Sequence, residues 1–165
     1  MIPIKVREMA GQDGQAVLEI YRLGMQTGLA TFETSVPSWN EFDKKYLYHS
    51  RFVAVTNHTI AGWVALSPVS AREVYKGVSE ISIYVDPAFH RIGVGSALMA
   101  RVIESSESNG IWTLYSAVFP ENIATMKLHE KFGFRVIGTR EKIARLNGVW
   151  RDTILLERRS IHVGV

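Results

Sequence analysis

Apolar and polar residues alternate over residues 2–7, the period-two signature of a half-buried strand. Beyond Asp13 the spacing changes: Ala16, Val17, Ile20, Tyr21 and Leu23 recur at helical intervals up to Gly24, behind an acidic start. Residues 27–37 keep neither period and mix aromatic, acidic and hydroxyl side chains in Thr31-Phe32-Glu33-Thr34. Ser38 predicts the cap of a second helix through Tyr48. The apolar runs 51–56 and 60–66 flank Asn57-His58-Thr59 and predict an antiparallel hairpin. Residues 78–85 read as a further strand, closed by Asp86-Pro87.

From Val94 the period returns to helical, with Val94, Leu98, Met99, Val102 and Ile103 on one face and Asn109-Gly110 as the stop. Residues 111–118 predict another strand, and Pro120-Glu121-Asn122 leads into a helix ending at Phe132-Gly133. Residues 134–138 and 153–158 predict the closing strands, with a polar connection that holds Gly148-Val149-Trp150-Arg151-Asp152. This order predicts a mixed α/β sheet with helices on both faces. Trp63, Trp112 and Trp150 read as packing residues, Trp150 alternatively as the border of a pocket or of a subunit contact.

A chain of 165 residues is one domain's worth, so residues 1–165 are expected to form a single domain. A net charge of +3 favours anionic ligands, but the basic residues are scattered, so no nucleic-acid partner is expected. The start Met1-Ile2-Pro3-Ile4-Lys5 lacks the apolar core of a signal peptide and no stretch reaches membrane-spanning length. The absence of cysteine excludes a disulfide or a thiol nucleophile and suits a reducing compartment. The expectation is a cytoplasmic protein without membrane or metal.

The candidate chemistry starts at His90-Arg91-Ile92-Gly93-Val94-Gly95-Ser96, between a strand and a helix. Glycines one residue apart let backbone N–H groups close on a bulky anion, and the helix start adds its unpaired N–H groups and positive dipole end. The blander reading is a tight strand-to-helix turn. On the strand before it, Glu80, Ser82 and Tyr84 share a face unless a bulge intervenes, with Ile81, Ile83 and Val85 on the other. By pattern alone Glu80 also reads as a surface carboxylate paired with a lysine or arginine.

Taken in order, Glu80-Ile81-Ser82-Ile83-Tyr84-Val85-Asp86-Pro87, the glycine turn, Asn122 and Leu128-His129-Glu130-Lys131-Phe132-Gly133-Phe134 resemble the GCN5-related N-acetyltransferase family. Where members carry Gln or Arg at the first turn position this chain has His90. Thr31-Phe32-Glu33, Arg72, Tyr75 and Gly148-x-Trp150-x-Asp152 narrow the likeness to the phosphinothricin and methionine sulfone/sulfoximine acetyltransferase branch. The resemblance implies the acyl-CoA N-acyltransferase fold, with a mostly antiparallel central sheet, and acetyl-CoA as cosubstrate.

It further implies that the backbone of Ile83, Tyr84 and Val85 pairs with the pantetheine arm. His90, Arg91, Ile92, Gly93, Val94, Gly95 and Ser96 would hold the diphosphate, and Asn122 would touch the cofactor while capping its helix. Glu80 is the expected general base, and a backbone N–H of Tyr84 or Val85 the oxyanion donor. His129 is either an acid or thiolate partner or an ordinary packed histidine. Phe32, Glu33, Arg72, Glu73, Val74 and Tyr75 are the expected acceptor contacts, Arg72 as the carboxylate holder. The acceptor is then the α-amine of a small amino-acid analogue, and a homodimer is expected. The alternatives are a protein N-terminus, lysine, polyamine or aminoglycoside acceptor, or a CoA-binding regulatory module without turnover.

Overall fold

A computed structural model describes residues 2–165 of the chain. Strand β1 (Lys5–Glu8) precedes helices α1 (Gly14–Gln26) and α2 (Trp39–Lys45). Strands β2 (Phe52–Thr56), β3 (Thr59–Pro68) and β4 (Val78–Val85) follow, then α3 (Val94–Ser108), β5 (Thr113–Val118) and α4 (Ile123–Lys131). Strands β6 (Arg135–Leu146) and β7 (Val149–Arg159) close the chain. All seven strands lie in one sheet of order β1-β2-β3-β4-β5-β7-β6. Only β4 and β5 run parallel, so the mixed, mostly antiparallel sheet expected from the sequence is what forms.

Alternation along the strands sends side chains to two cores. Val64, Leu66 and Ile81 pack with Leu98, Met99 and Val102 of α3 on one face. Trp63 and Ala65 pack with Val17, Ile20 and Tyr21 of α1 and Phe42 of α2 on the other. Local chemistry sets the helix ends. Ser38 Oγ accepts the Glu41 N–H at 3.2 Å while the Glu41 carboxylate accepts the Ser38 N–H at 2.7 Å, a reciprocal cap. Asn122 Oδ1 accepts the Thr125 N–H at 3.2 Å and starts α4.

Two expectations need correction. Helix α2 stops at Lys45, not Tyr48, because the buried Arg51 guanidinium draws the chain out of the helix. It donates to Asp43 Oδ1 at 2.6 Å and to the carbonyls of Leu47 and Tyr46 at 2.7 and 3.0 Å. The polar connection around Gly148 is instead part of a long hairpin. Asn147 and Gly148, with φ of 50° and 79°, form the two-residue turn between β6 and β7. Strand β6 has register shifts at Val136/Gly138 and Arg140/Ala144 and is exposed along most of its length, so no alternation marked it. Of the tryptophans, Trp63 is fully buried, while Trp150 lies half exposed on the hairpin under the Arg145 guanidinium rather than in a core.

Candidate active site

The parallel pair β4–β5 holds together only over Val78↔Thr113, Ser79↔Leu114 and Glu80↔Tyr115. Beyond Glu80 the two strands part, and β5 stays with β7. On its other side β4 pairs with β3 without a register shift, from Pro68↔Ser79 to Gly62↔Val85. The Asp86 N–H donates to the Ala61 carbonyl at 2.8 Å. By strand alternation, the amide groups of Val85 and Ile83 therefore point away from β3 into the gap, whereas those of Tyr84 turn towards β3. Of the two expected oxyanion donors, only the Val85 N–H faces the opening.

The glycine turn lies at the end of this open edge. Arg91 and Gly93 take the left-handed conformation, with φ of 64° and 97°, and Gly93 caps α3 without a side-chain bond. Among the described residues no backbone N–H of residues 91–96 donates to a protein group. A Cβ on Gly95 would lie 3.2 Å from Leu128, so a larger residue there would crowd α4. His90 Nε2 lies 3.1 Å from the Val85 carbonyl, and Lys131 Nζ donates to Ser96 Oγ at 3.0 Å. Arg91, Asn122 and Lys127 line a groove between the turn and α4. These features fit a long anionic ligand with an amide-bearing arm.

Where β4 and β5 part, a cavity of about 420 Å³ opens, lined from the α1/α2 face and by residues of α4. Glu80, Ser82 and Tyr84 all line it, together with Ile81 and Ile83 of the other strand face. Burial pushes the Glu80 carboxyl up from its ordinary value, with Lys45 opposing the shift. Tyr46 donates to Ser82 Oγ at 3.2 Å, and burial pushes its own phenol up to about 12. Tyr21 and Tyr84, 5.0 Å apart between centroids, complete a wall of phenols whose acidity is also suppressed by burial.

His129 lines the same cavity and is 1 % exposed. Its Nδ1–H donates to the Thr125 carbonyl at 2.7 Å, and its Nε2 has no partner. Burial lowers its pKa, so the ring is neutral near pH 7 with a free lone pair on Nε2. In this tautomer Nε2 accepts and does not donate.

Thr31, Phe32 and Glu33 enter the cavity from the segment between α1 and α2, which has no helix or strand to fix it. Its anchors come from elsewhere. Arg151 of β7 donates to the Gly28 carbonyl at 3.0 Å, and Asn122 Nδ2 donates to that of Leu29 at 3.1 Å. The Arg151 guanidinium also sits 4.2 Å from the Phe119 ring centre, and Phe119 meets Phe32 edge-on at 4.8 Å. Arg72, Glu73, Val74 and Tyr75 are not brought to this cavity. They form an exposed turn between β3 and β4, with the Arg72 guanidinium over the Tyr75 ring. Lys45, Tyr46, Tyr115 and Arg140, which the sequence did not single out, do line it or stand beside Glu80.

Among the described residues no group of three or more His, Cys, Asp or Glu side chains could hold a metal ion. Among the described residues no helix is long and apolar enough to cross a membrane.

An open strand edge, an amide-lined turn and a carboxylate in the adjoining cavity can present one ligand's reactive end to another. The chain belongs to the acetyltransferase (GNAT) family, whose profile matches residues 15–134. It is 26% identical over 160 residues to a phosphinothricin N-acetyltransferase of Streptomyces viridochromogenes, covering 94% of this chain and 87% of that one. With an L-amino acid N-acetyltransferase of Escherichia coli it shares 27% identity over 165 residues, covering 96% and 99%. The crystal structure of a GNAT superfamily phosphinothricin acetyltransferase from Sinorhizobium meliloti, in complex with acetyl-CoA, superposes with a TM-score of 0.88 at 24% identity. That match covers 98% of this chain and 90% of the other and shows the shared fold.

Proposed function

We propose that the chain transfers acetyl from acetyl-CoA to the α-amine of a small amino-acid analogue of the phosphinothricin, methionine sulfoximine or methionine sulfone type. The observation that carries this reading is the half-buried Glu80 carboxylate, in a cavity that opens onto the free amide edge of β4. Relatives named for phosphinothricin and for L-amino acids support the acceptor class. Arg72, Glu73, Val74 and Tyr75 lie outside this cavity and are given no part in it.

In this reading the amide groups of Ile83 pair with the pantetheine arm, and the N–H groups of residues 91–96 hold the diphosphate. Asn122, which caps α4 beside the groove, borders the same ligand. Glu80 takes a proton from the acceptor's ammonium, directly or through water, and leaves a neutral nucleophile. The Val85 N–H donates to the carbonyl oxygen as its negative charge grows. The nitrogen's second proton goes to His129 Nε2, and the resulting imidazolium returns it to the departing sulfur. Charge and protons then balance: one amide, one thiol, and one proton left on Glu80.

A thiol-release assay with acetyl-CoA across amino-acid analogues, polyamines, aminoglycosides and peptides tests the reading. Release confined to α-amino acids is the expected result, and release with polycations alone contradicts it. Because the folded Glu80 pKa lies above 4.5, the rate falls as pH drops through that raised value and the base becomes protonated. The corresponding acid limb in kcat/KM for the acceptor is absent from Glu80→Gln.

A further inference from the structure

Two carboxylate and two basic side chains line the cavity: Glu33 and Glu80, and Lys45 and Arg140. The two basic residues come from different elements. Lys45 is the last residue of α2, and Arg140 lies on β6 opposite Thr153 of β7, which also lines the cavity. Neither takes part in an ion pair among the described residues. Lys45 rests over the Tyr46 ring, 5.2 Å from its centre, on a helix end that Arg51 pins to the sheet. Both basic residues are solvent-reaching and line the cavity that holds the half-buried Glu80 carboxylate.

We propose that Arg140 and Lys45 are the specificity-determining residues for an α-amino acid that carries a second anionic group on its side chain. Arg140 takes the α-carboxylate, for which its planar fork is matched. Lys45, a compact point charge, takes the side-chain anion, such as a phosphinate. The ammonium between them falls to Glu80. This rests on the function proposed above and assigns the carboxylate a holder inside the cavity, where Arg72 does not reach.

Initial rates with phosphinothricin, which has two anionic groups, and methionine sulfone, which has one, test it in the wild type, Lys45→Gln and Arg140→Gln. The wild type prefers the former by about tenfold or more in kcat/KM. Lys45→Gln reduces that preference to about threefold or less by raising KM for phosphinothricin more than for the sulfone. Arg140→Gln raises KM for both acceptors, and Arg140→Lys restores it only in part. Both positions are exposed, so unchanged melting temperatures show that the fold is kept. Equal use of the two acceptors by the wild type, or a preference that survives Lys45→Gln, overturns this inference alone. No thiol release with any α-amino acid overturns the underlying function as well.

Discussion

Glu80→Gln is expected to lower kcat by about 10²–10⁴-fold, the usual contribution of a positioned general base, while acetyl-CoA affinity is retained. The amide keeps the shape of the side chain and removes its ability to take a proton. The same substitution is expected to raise the melting temperature at neutral pH. Burial raises the folded carboxyl's pKa, so the folded state holds the proton more tightly than the unfolded chain does. Stability therefore falls as pH rises from the unfolded value through the folded one, and at neutral pH the ionised group is a liability. Gln carries no such penalty. Single-turnover kinetics, calorimetric titration with acetyl-CoA and thermal melts on one preparation check all three effects. Unchanged turnover would remove Glu80 from the base's role.

Trp63→Ala is expected to cost about 3–5 kcal/mol of folding stability, the range for deleting a large buried aromatic ring. Trp63 is fully buried at the centre of the α1/α2 face. It stacks on Tyr84 at 5.0 Å and 16° and meets Phe42 edge-on at 5.0 Å, with Tyr46 at 5.8 Å and Tyr21 at 6.1 Å. Three of these neighbours, Tyr21, Tyr46 and Tyr84, line the cavity that holds Glu80. Removing the indole leaves a void directly behind the phenol wall, so the loss of stability comes with a rise in KM for the acceptor. Urea unfolding measures the first effect and steady-state kinetics the second. A loss under about 1 kcal/mol would mean that the face collapses to fill the space.

The site was legible where its parts are local. Glu80, Ser82 and Tyr84 share a face because strand side chains alternate, and the unbroken β3–β4 register preserves that alternation. The stop of α3 was written in Asn109-Gly110, whose glycine has φ of 79°. Other parts depend on contacts between distant segments. Lys45 and Arg140 lie far apart in sequence and meet only across the folded cavity. Arg140 sits on a bulged, exposed strand whose pattern carries no period. Arg151 anchors a carbonyl more than a hundred residues earlier in the chain, which no spacing rule can reveal. The end of α2 was misread because its terminator, Arg51, acts from the next strand's approach rather than from within the helix. The Asn147-Gly148 dipeptide was a hairpin signal in plain view, obscured by strands exposed on both sides of it.

The account stands on the unpaired amides of the turn before α3 and the free edge of β4 as one continuous seat for acetyl-CoA. Isothermal titration of the protein with acetyl-CoA tests this most directly, with dephosphorylated pantetheine as the comparison ligand. Saturable one-to-one binding of acetyl-CoA is expected, weakened at least tenfold when the diphosphate is absent. Equal affinity for both ligands, or no heat with either, would contradict it.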